Sequence, residues 1–173
     1  MKIAVIYKSK YGTTGKYAAW IAEELGADLL EHGEAKPESF SDYDCVVYGG
    51  GLYAGGIIGV DLVVKNACPR LVVFTVGLAD PETTDYSKIL EKNLPAGVRN
   101  AVRVFHFRGG TDYARLGLVH KGMMALLKRI VARKPEAELT EEDRAFLETY
   151  GGKVDFTDRG SIAPLVEYVG AMR

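Results

Sequence analysis

Five short apolar runs, each bounded by glycine or polar residues, mark out the chain: Lys2 to Tyr7, Ala27 to Glu31, Cys45 to Tyr48, Leu71 to Val76 and Ala101 to Phe107. Runs of this kind read as strands buried on both faces, as in a parallel sheet. Between them the period changes. Thr14 to Leu25 places Tyr17, Ala18, Ile21, Ala22 and Leu25 on one face at helical spacing. Val60 to Asn66 reads as a short helix, and Thr84 to Asn93 as another, with Pro81 ahead of it and Pro95 behind. Strands alternating with helices predict an open α/β sheet with right-handed crossovers and helices on both faces. The remainder is mostly helical. Arg115 to Lys134 carries a stripe of Leu116, Val119, Met123, Leu126, Leu127 and Ile130, ended by Pro135. Thr140 reads as an N-cap followed by three acids, Gly151 and Gly152 stop that helix, and Ile162 to Met172 supplies the last.

A chain of 173 residues, 47% hydrophobic and 26% charged, reads as one globular domain that needs no disulfide or metal to hold its core. Cys45 and Cys68 lie in or beside apolar segments without C-x-x-C spacing, and read as reduced structural thiols of a cytoplasmic protein. No apolar run reaches the roughly 20 residues of a membrane span, and the N-terminus opens directly on a strand rather than a leader. The net charge of -1 argues against a surface built for nucleic acid.

In an open parallel sheet, ligands bind beyond the carboxyl ends of the strands. Three loops fall there. Ser9-Lys10-Tyr11-Gly12-Thr13-Thr14-Gly15 follows the first strand and opens the first helix, with hydroxyls and free amides suited to a phosphate dianion. It is not a Walker A loop, because Tyr17 follows Gly15-Lys16 where Ser or Thr is required. Gly49 to Gly56 follows the third strand, and within it Gly50, Gly51, Leu52, Tyr53, Ala54 and Gly55 form a wall against which a flat ligand can lie, with Tyr53 to stack on it. The literal G-x-G-x-x-A there follows the wrong strand for a dinucleotide fingerprint and has no acid about 20 residues on. Gly77-Leu78-Ala79-Asp80 follows the fourth strand and offers backbone groups to a heterocycle's polar edge, while Asp80 serves equally well as a helix cap.

The motif Ser9 to Thr14, S-x-x-G-T-T, resembles the phosphate loop of the flavodoxin superfamily, with Tyr11 standing where that pattern has Thr. Tyr17-Ala18 after it, the Gly49 to Gly55 loop and the run Arg108 to Arg129 resemble most the branch that includes the menaquinone-linked protoporphyrinogen dehydrogenases. The resemblance implies a three-layer sandwich with a five-stranded parallel sheet of order 2-1-3-4-5, extra C-terminal helices, and a helical insert at about 108–135. It implies FMN as cofactor. Ser9, Tyr11, Gly12, Thr13 and Thr14 would lie at the phosphate, Gly50 to Gly55 on one side of the ring, and Gly77, Leu78 and Asp80 on the other. Tyr86 or Tyr113 is expected to supply a second aromatic.

From Arg99 to Lys134 there are nine basic residues and one acid, a surplus of +8 that leaves -9 for the rest of the chain. The ordinary reading of residues 115–134 is a core helix with a solvated basic face. The functional readings are a membrane surface near a quinone pool, or a docking patch for an acidic redox partner. His106 and His120 read as structural. Two functions follow from the resemblance: an electron carrier between partner proteins, which is the expectation adopted, and an FMN-dependent, quinone-linked oxidoreductase.

Overall fold

The computed structural model describes residues 1–172. Its strands are β1 (Ile3–Lys8), β2 (Asp28–Glu31), β3 (Cys45–Tyr53), β4 (Gly56–Ile57), β5 (Leu71–Gly77) and β6 (Arg103–Arg108). The main sheet runs β2-β1-β3-β5-β6 with every neighbour parallel, and β4 folds back antiparallel onto the end of β3. With the two-residue β4 set aside, this is the order 2-1-3-4-5 expected for the fold.

Alternation along β1 sets the two cores. Ile3 and Val5 face α1 (Thr13–Leu25) and the C-terminal α7 (Ala163–Gly170), packing with Tyr17, Ile21, Leu165 and Val169. Ala4 and Ile6 face the opposite way, toward Val63 of α2 (Asp61–Val64), Ile89 of α3 (Ser87–Asn93) and Val98 of α4 (Ala96–Ala101). Strands apolar on both faces therefore hold helices on both faces.

Three boundaries differ from the sequence reading. β3 continues to Tyr53, because Gly49, Gly50 and Gly51 pair with β5 on one side and Gly49 and Gly50 also with β1 on the other. A Cβ on Gly49 would run into the Phe74 ring, and one on Gly50 would lie 2.5 Å from Ile57 Cγ2, so these glycines make room for packing inside the sheet. The helix expected over Thr84–Asn93 ends at Asn93 as α3 but starts only at Ser87, and an unforeseen helix, α4, follows Pro95 and delays β6 to Arg103. The stripe predicted for residues 115–134 is out of phase with the packing. In α5 (Leu118–Val131) the buried residues are Met124 and Val131, while Val119, Met123, Leu126 and Ile130 are exposed. The helix is apolar around most of its circumference, and periodicity alone does not choose the inward face.

After β6 the chain forms β7 (Gly110–Asp112), then α5 and α6 (Glu141–Thr149), and returns as β8 (Lys153–Asp155), which pairs antiparallel with β7. Thr140 caps α6 as expected: its hydroxyl accepts the Asp143 N–H, and the Asp143 carboxylate accepts the Thr140 N–H. Met124, Val131 and Phe146 form a third small core with Tyr11, Tyr53 and Leu78, above the carboxyl ends of the central strands.

Candidate functional site

The loop after β1 is built around an amide turn. Gly12 N–H donates to Ser9 Oγ at 3.0 Å, and Gly12, at φ 92°, takes the left-handed conformation that starts α1. The first-turn amides of Thr13, Thr14 and Gly15 have no partner within the helix, and the helix dipole adds positive potential there. Among the described residues, the Thr13 and Thr14 hydroxyls make no hydrogen bond. Their space is set by two glycines: a Cβ on Gly109 would sit 2.9 Å from Thr13 Oγ1, and one on Gly51 3.2 Å from Thr14 Oγ1.

The second loop is a tight hairpin rather than a loose glycine run. Ala54 (φ 49°) and Gly55 (φ 72°) turn the chain from β3 into β4. Asn93 clamps the turn, donating to the Gly55 carbonyl at 3.0 Å and accepting from Ile57 N–H at 3.0 Å. Tyr53 stands on its rim with the Lys10 ammonium 3.3 Å from the ring centroid. Burial lowers the Lys10 pKa. Tyr11 reaches the other way, its hydroxyl donating to Met124 Sδ at 3.0 Å. Burial, with repulsion from Tyr53, pushes its pKa up to about 12.

The third loop is held from several sides. Gly109 N–H donates to the Gly77 carbonyl at 2.6 Å, and Arg108 Nε donates to the Leu78 carbonyl at 3.0 Å. The Glu142 carboxylate accepts from Leu78 N–H at 2.6 Å and Ala79 N–H at 2.9 Å. Burial pushes the Glu142 pKa up, against the pull of those two amides.

These loops enclose one cavity of about 260 Å³. Of the expected site residues, Tyr11, Thr13, Thr14, Gly51, Leu52, Tyr53, Ala54, Gly55, Gly77 and Leu78 line it. Ser9, Gly12, Gly50 and Asp80 do not. Ser9 and Gly12 shape the first loop, Gly50 is strand interior, and Asp80 accepts from Glu82 N–H at 3.0 Å in a turn of its own. Neither candidate for the second aromatic lines the cavity. Tyr86 stacks on His106 at 3.6 Å between centroids, and Tyr113 pairs with Tyr150 through their hydroxyls. Phe146 of α6 lines it instead, with Met124, Leu127 and Val131 of α5 as its roof. Phe146 lies in a helix that reads as solvated from its acidic start, and no pattern in the sequence marks Glu142, 63 positions beyond Ala79, as the partner of that amide. Thr111 also lines the cavity, and its hydroxyl is buried without a partner among the described residues. Lys10, Lys88, Lys92 and Lys134 bring positive charge, the last paired with Asp143 at 2.8 Å.

The donor set fits an anionic, partly apolar ligand. Unused amides and hydroxyls at the start of α1 share the cavity with apolar and aromatic walls from Leu52, Tyr53, Met124 and Phe146. FMN suits both, with a phosphate and a flat ring.

A parallel sheet of this order, with its cavity at the carboxyl edge and a helix N-terminus opening into it, defines a flavodoxin-like α/β protein. Residues 4–138 match the flavodoxin-domain family, and the chain belongs to it. A 56-residue stretch is 38% identical to an uncharacterised protein of Methanocaldococcus jannaschii and covers 32% of this chain and 37% of that protein. The chain thus matches little more than a third of the length of that curated relative. Among solved structures it is similar to flavodoxin 2 of Bacillus cereus, at 14% identity over 95% of this chain and 99% of that one, with a TM-score of 0.44. It is also similar to a flavoprotein of Lactobacillus acidophilus solved in complex with FMN, at 15% identity over 62% and 92%, with a TM-score of 0.43. No described helix is long and apolar enough to cross a membrane.

Proposed function

We propose that the chain binds FMN and carries electrons between partner proteins. The observation that carries this reading is the set of unpaired first-turn amides and Thr13 and Thr14 hydroxyls at the cavity enclosed by Tyr53, Leu78 and Phe146. Thr13, Thr14 and the α1 amides would hold the phosphate, with Lys10 adding charge. The walls after β3 and β5 would hold the ring, and the roof from α5 and α6 would keep water from it. Bound FMN supplies one- and two-electron chemistry, and the protein tunes it. Absorbance of the purified protein tests the reading: a flavin spectrum in the visible, and FMN bound stoichiometrically by the stripped protein, are the expected results.

A second reading is an FMN-dependent, quinone-linked oxidoreductase like the protoporphyrinogen dehydrogenases. The apolar roof of Met124, Leu127, Val131 and Phe146 favours it, since an apolar substrate needs such a lining beside the ring. Turnover of protoporphyrinogen with a menaquinone analogue separates the two, because the carrier is reduced only through a reductase.

The outer face of α5 bears on where the protein works. Leu118 is 88% exposed and Val119 75%, and Leu126 and Ile130 are exposed beside them. The helix contains Lys121, Lys128 and Arg129 and no acid. An exposed apolar stripe flanked only by cations suits an anionic membrane surface, and peripheral attachment there is the placement proposed.

A further inference from the structure

The two amides that the third loop offers to a ligand are already engaged by Glu142. The approach is close: a Cβ on Gly77 would lie 2.6 Å from Glu142 Oε2, so a side chain at that position would exclude the carboxylate. Among the described residues no cation stands within ion-pair distance of it, since Lys134 is taken by Asp143. A carboxylate oxygen accepts two hydrogen bonds. Each oxygen of Glu142 has one filled, and the side chain lines the cavity. A wall that the backbone would make of donors is therefore presented to the ligand as acceptors.

We infer that Glu142 determines which ligand edge this wall accepts, selecting one that carries an N–H over one that presents only carbonyls. The inference rests on the FMN reading and deepens it. The pyrimidine edge of a flavin is a carbonyl, an N3–H and a second carbonyl, so it has the donor that a carboxylate requires. The same carboxylate repels an edge stripped of that hydrogen. The neighbouring Asp143 is turned to the helix start instead, its Oδ2 accepting from Lys134 Nζ and the Thr140 amide.

The test compares FMN with its N3-methyl analogue by fluorescence titration of the flavin-stripped full chain, in wild type, Glu142→Ala and Glu142→Gln. Wild type is expected to prefer FMN by about ten- to a hundredfold, the range for one hydrogen bond to a charged group. Both variants are expected to lose most of that preference. Glu142→Gln keeps the side chain's size, so the comparison stands if the alanine variant fails to fold. A wild-type preference retained in the folded variants overturns the inference. So does tighter FMN binding by Glu142→Ala, which would show the carboxylate competing with the ligand for the Leu78 and Ala79 amides. Either result leaves the FMN reading intact, because wild type binds FMN in both. A wild type that binds neither flavin overturns the FMN reading and this inference with it.

Discussion

The Lys10 ammonium lies 3.3 Å from the centre of the Tyr53 ring, so one face of the aromatic on the cavity rim already carries a cation. Cation–π contact and flavin stacking draw on the same ring. If the flavin takes the face that Lys10 now covers, the lysine must swing aside. Tyr53→Ala is expected to weaken FMN binding by about two- to tenfold, corresponding to the 0.5–1.5 kcal/mol of an aromatic pair beyond its area burial. Titration of the stripped protein measures it. An unchanged dissociation constant would assign the stacking to Tyr11 or Phe146.

Thr13 and Thr14 offer a cleaner substitution than most binding residues. Their hydroxyls have no partner among the described residues, and Thr14 is only 2% exposed. Replacing both with Val preserves shape and breaks no internal hydrogen bond. FMN affinity should fall by about one and a half to three orders of magnitude, at roughly 1–2 kcal/mol for each of the two hydrogen bonds. The melting temperature without flavin should hardly move. A large drop in apo stability would show that these hydroxyls support the fold instead.

His106 gives the fold a dependence on pH that is separate from the site. It is mostly buried, bonds to Thr75 Oγ1 at 2.6 Å through Nδ1, and stacks on Tyr86. Burial lowers its pKa to about 4. The unfolded chain takes up the proton first, near 6.5, so the stabilising contribution is complete above pH 6.5. It is lost as pH falls from 6.5 toward 4, amounting to roughly 3 kcal/mol across that window. Denaturant titrations of wild type and His106→Asn at pH 7.5 and 4.5 should show the wild type losing more stability than the variant. Equal losses would place the acid sensitivity elsewhere.

The membrane proposal is tested by sedimentation with vesicles. Binding to anionic vesicles should be strong at low salt, weaken as the screening length shortens to about 10 Å at 0.1 M, and fall when Lys121, Lys128 and Arg129 become Gln. Replacing Leu118, Val119 and Leu126 with Ser should also abolish it. Failure to sediment with anionic vesicles under any condition would return α5 to an ordinary solvated helix.

The sheet was legible because its evidence is local. IAVIY is apolar throughout and LVVFTV at all but Thr75, and only a strand covered on both faces needs that. The phosphate loop was legible because hydroxyls and glycines fall together between a strand and a helix. The roof was not. Met124 and Met123 are adjacent and chemically identical, yet one lines the cavity and the other is exposed, and only the packing of α5 against Tyr11 and Phe146 separates them. Glu142 is two residues beyond a cap signal, where an acid is explained by the helix dipole alone. Its bond to Leu78 spans 64 positions and leaves no periodic trace.

Asp112 and Lys153 lie opposite each other at the end of the β7–β8 ladder, and Tyr113 N–H donates to the Gly152 carbonyl just past it. The forty residues between those strands leave and return through one narrow neck. Antiparallel strands in such register can be joined by a two-residue turn. Splicing Asp112 to Lys153 through Asn-Gly would thus yield a minimal chain with the five-stranded sheet and the anion cradle intact and the overhead cover gone. The excursion is anchored to the scaffold beneath it at the cavity, through Met124 to the Tyr11 hydroxyl and Glu142 to the Leu78 and Ala79 amides, so its removal would bare those groups rather than the two cores flanking the sheet.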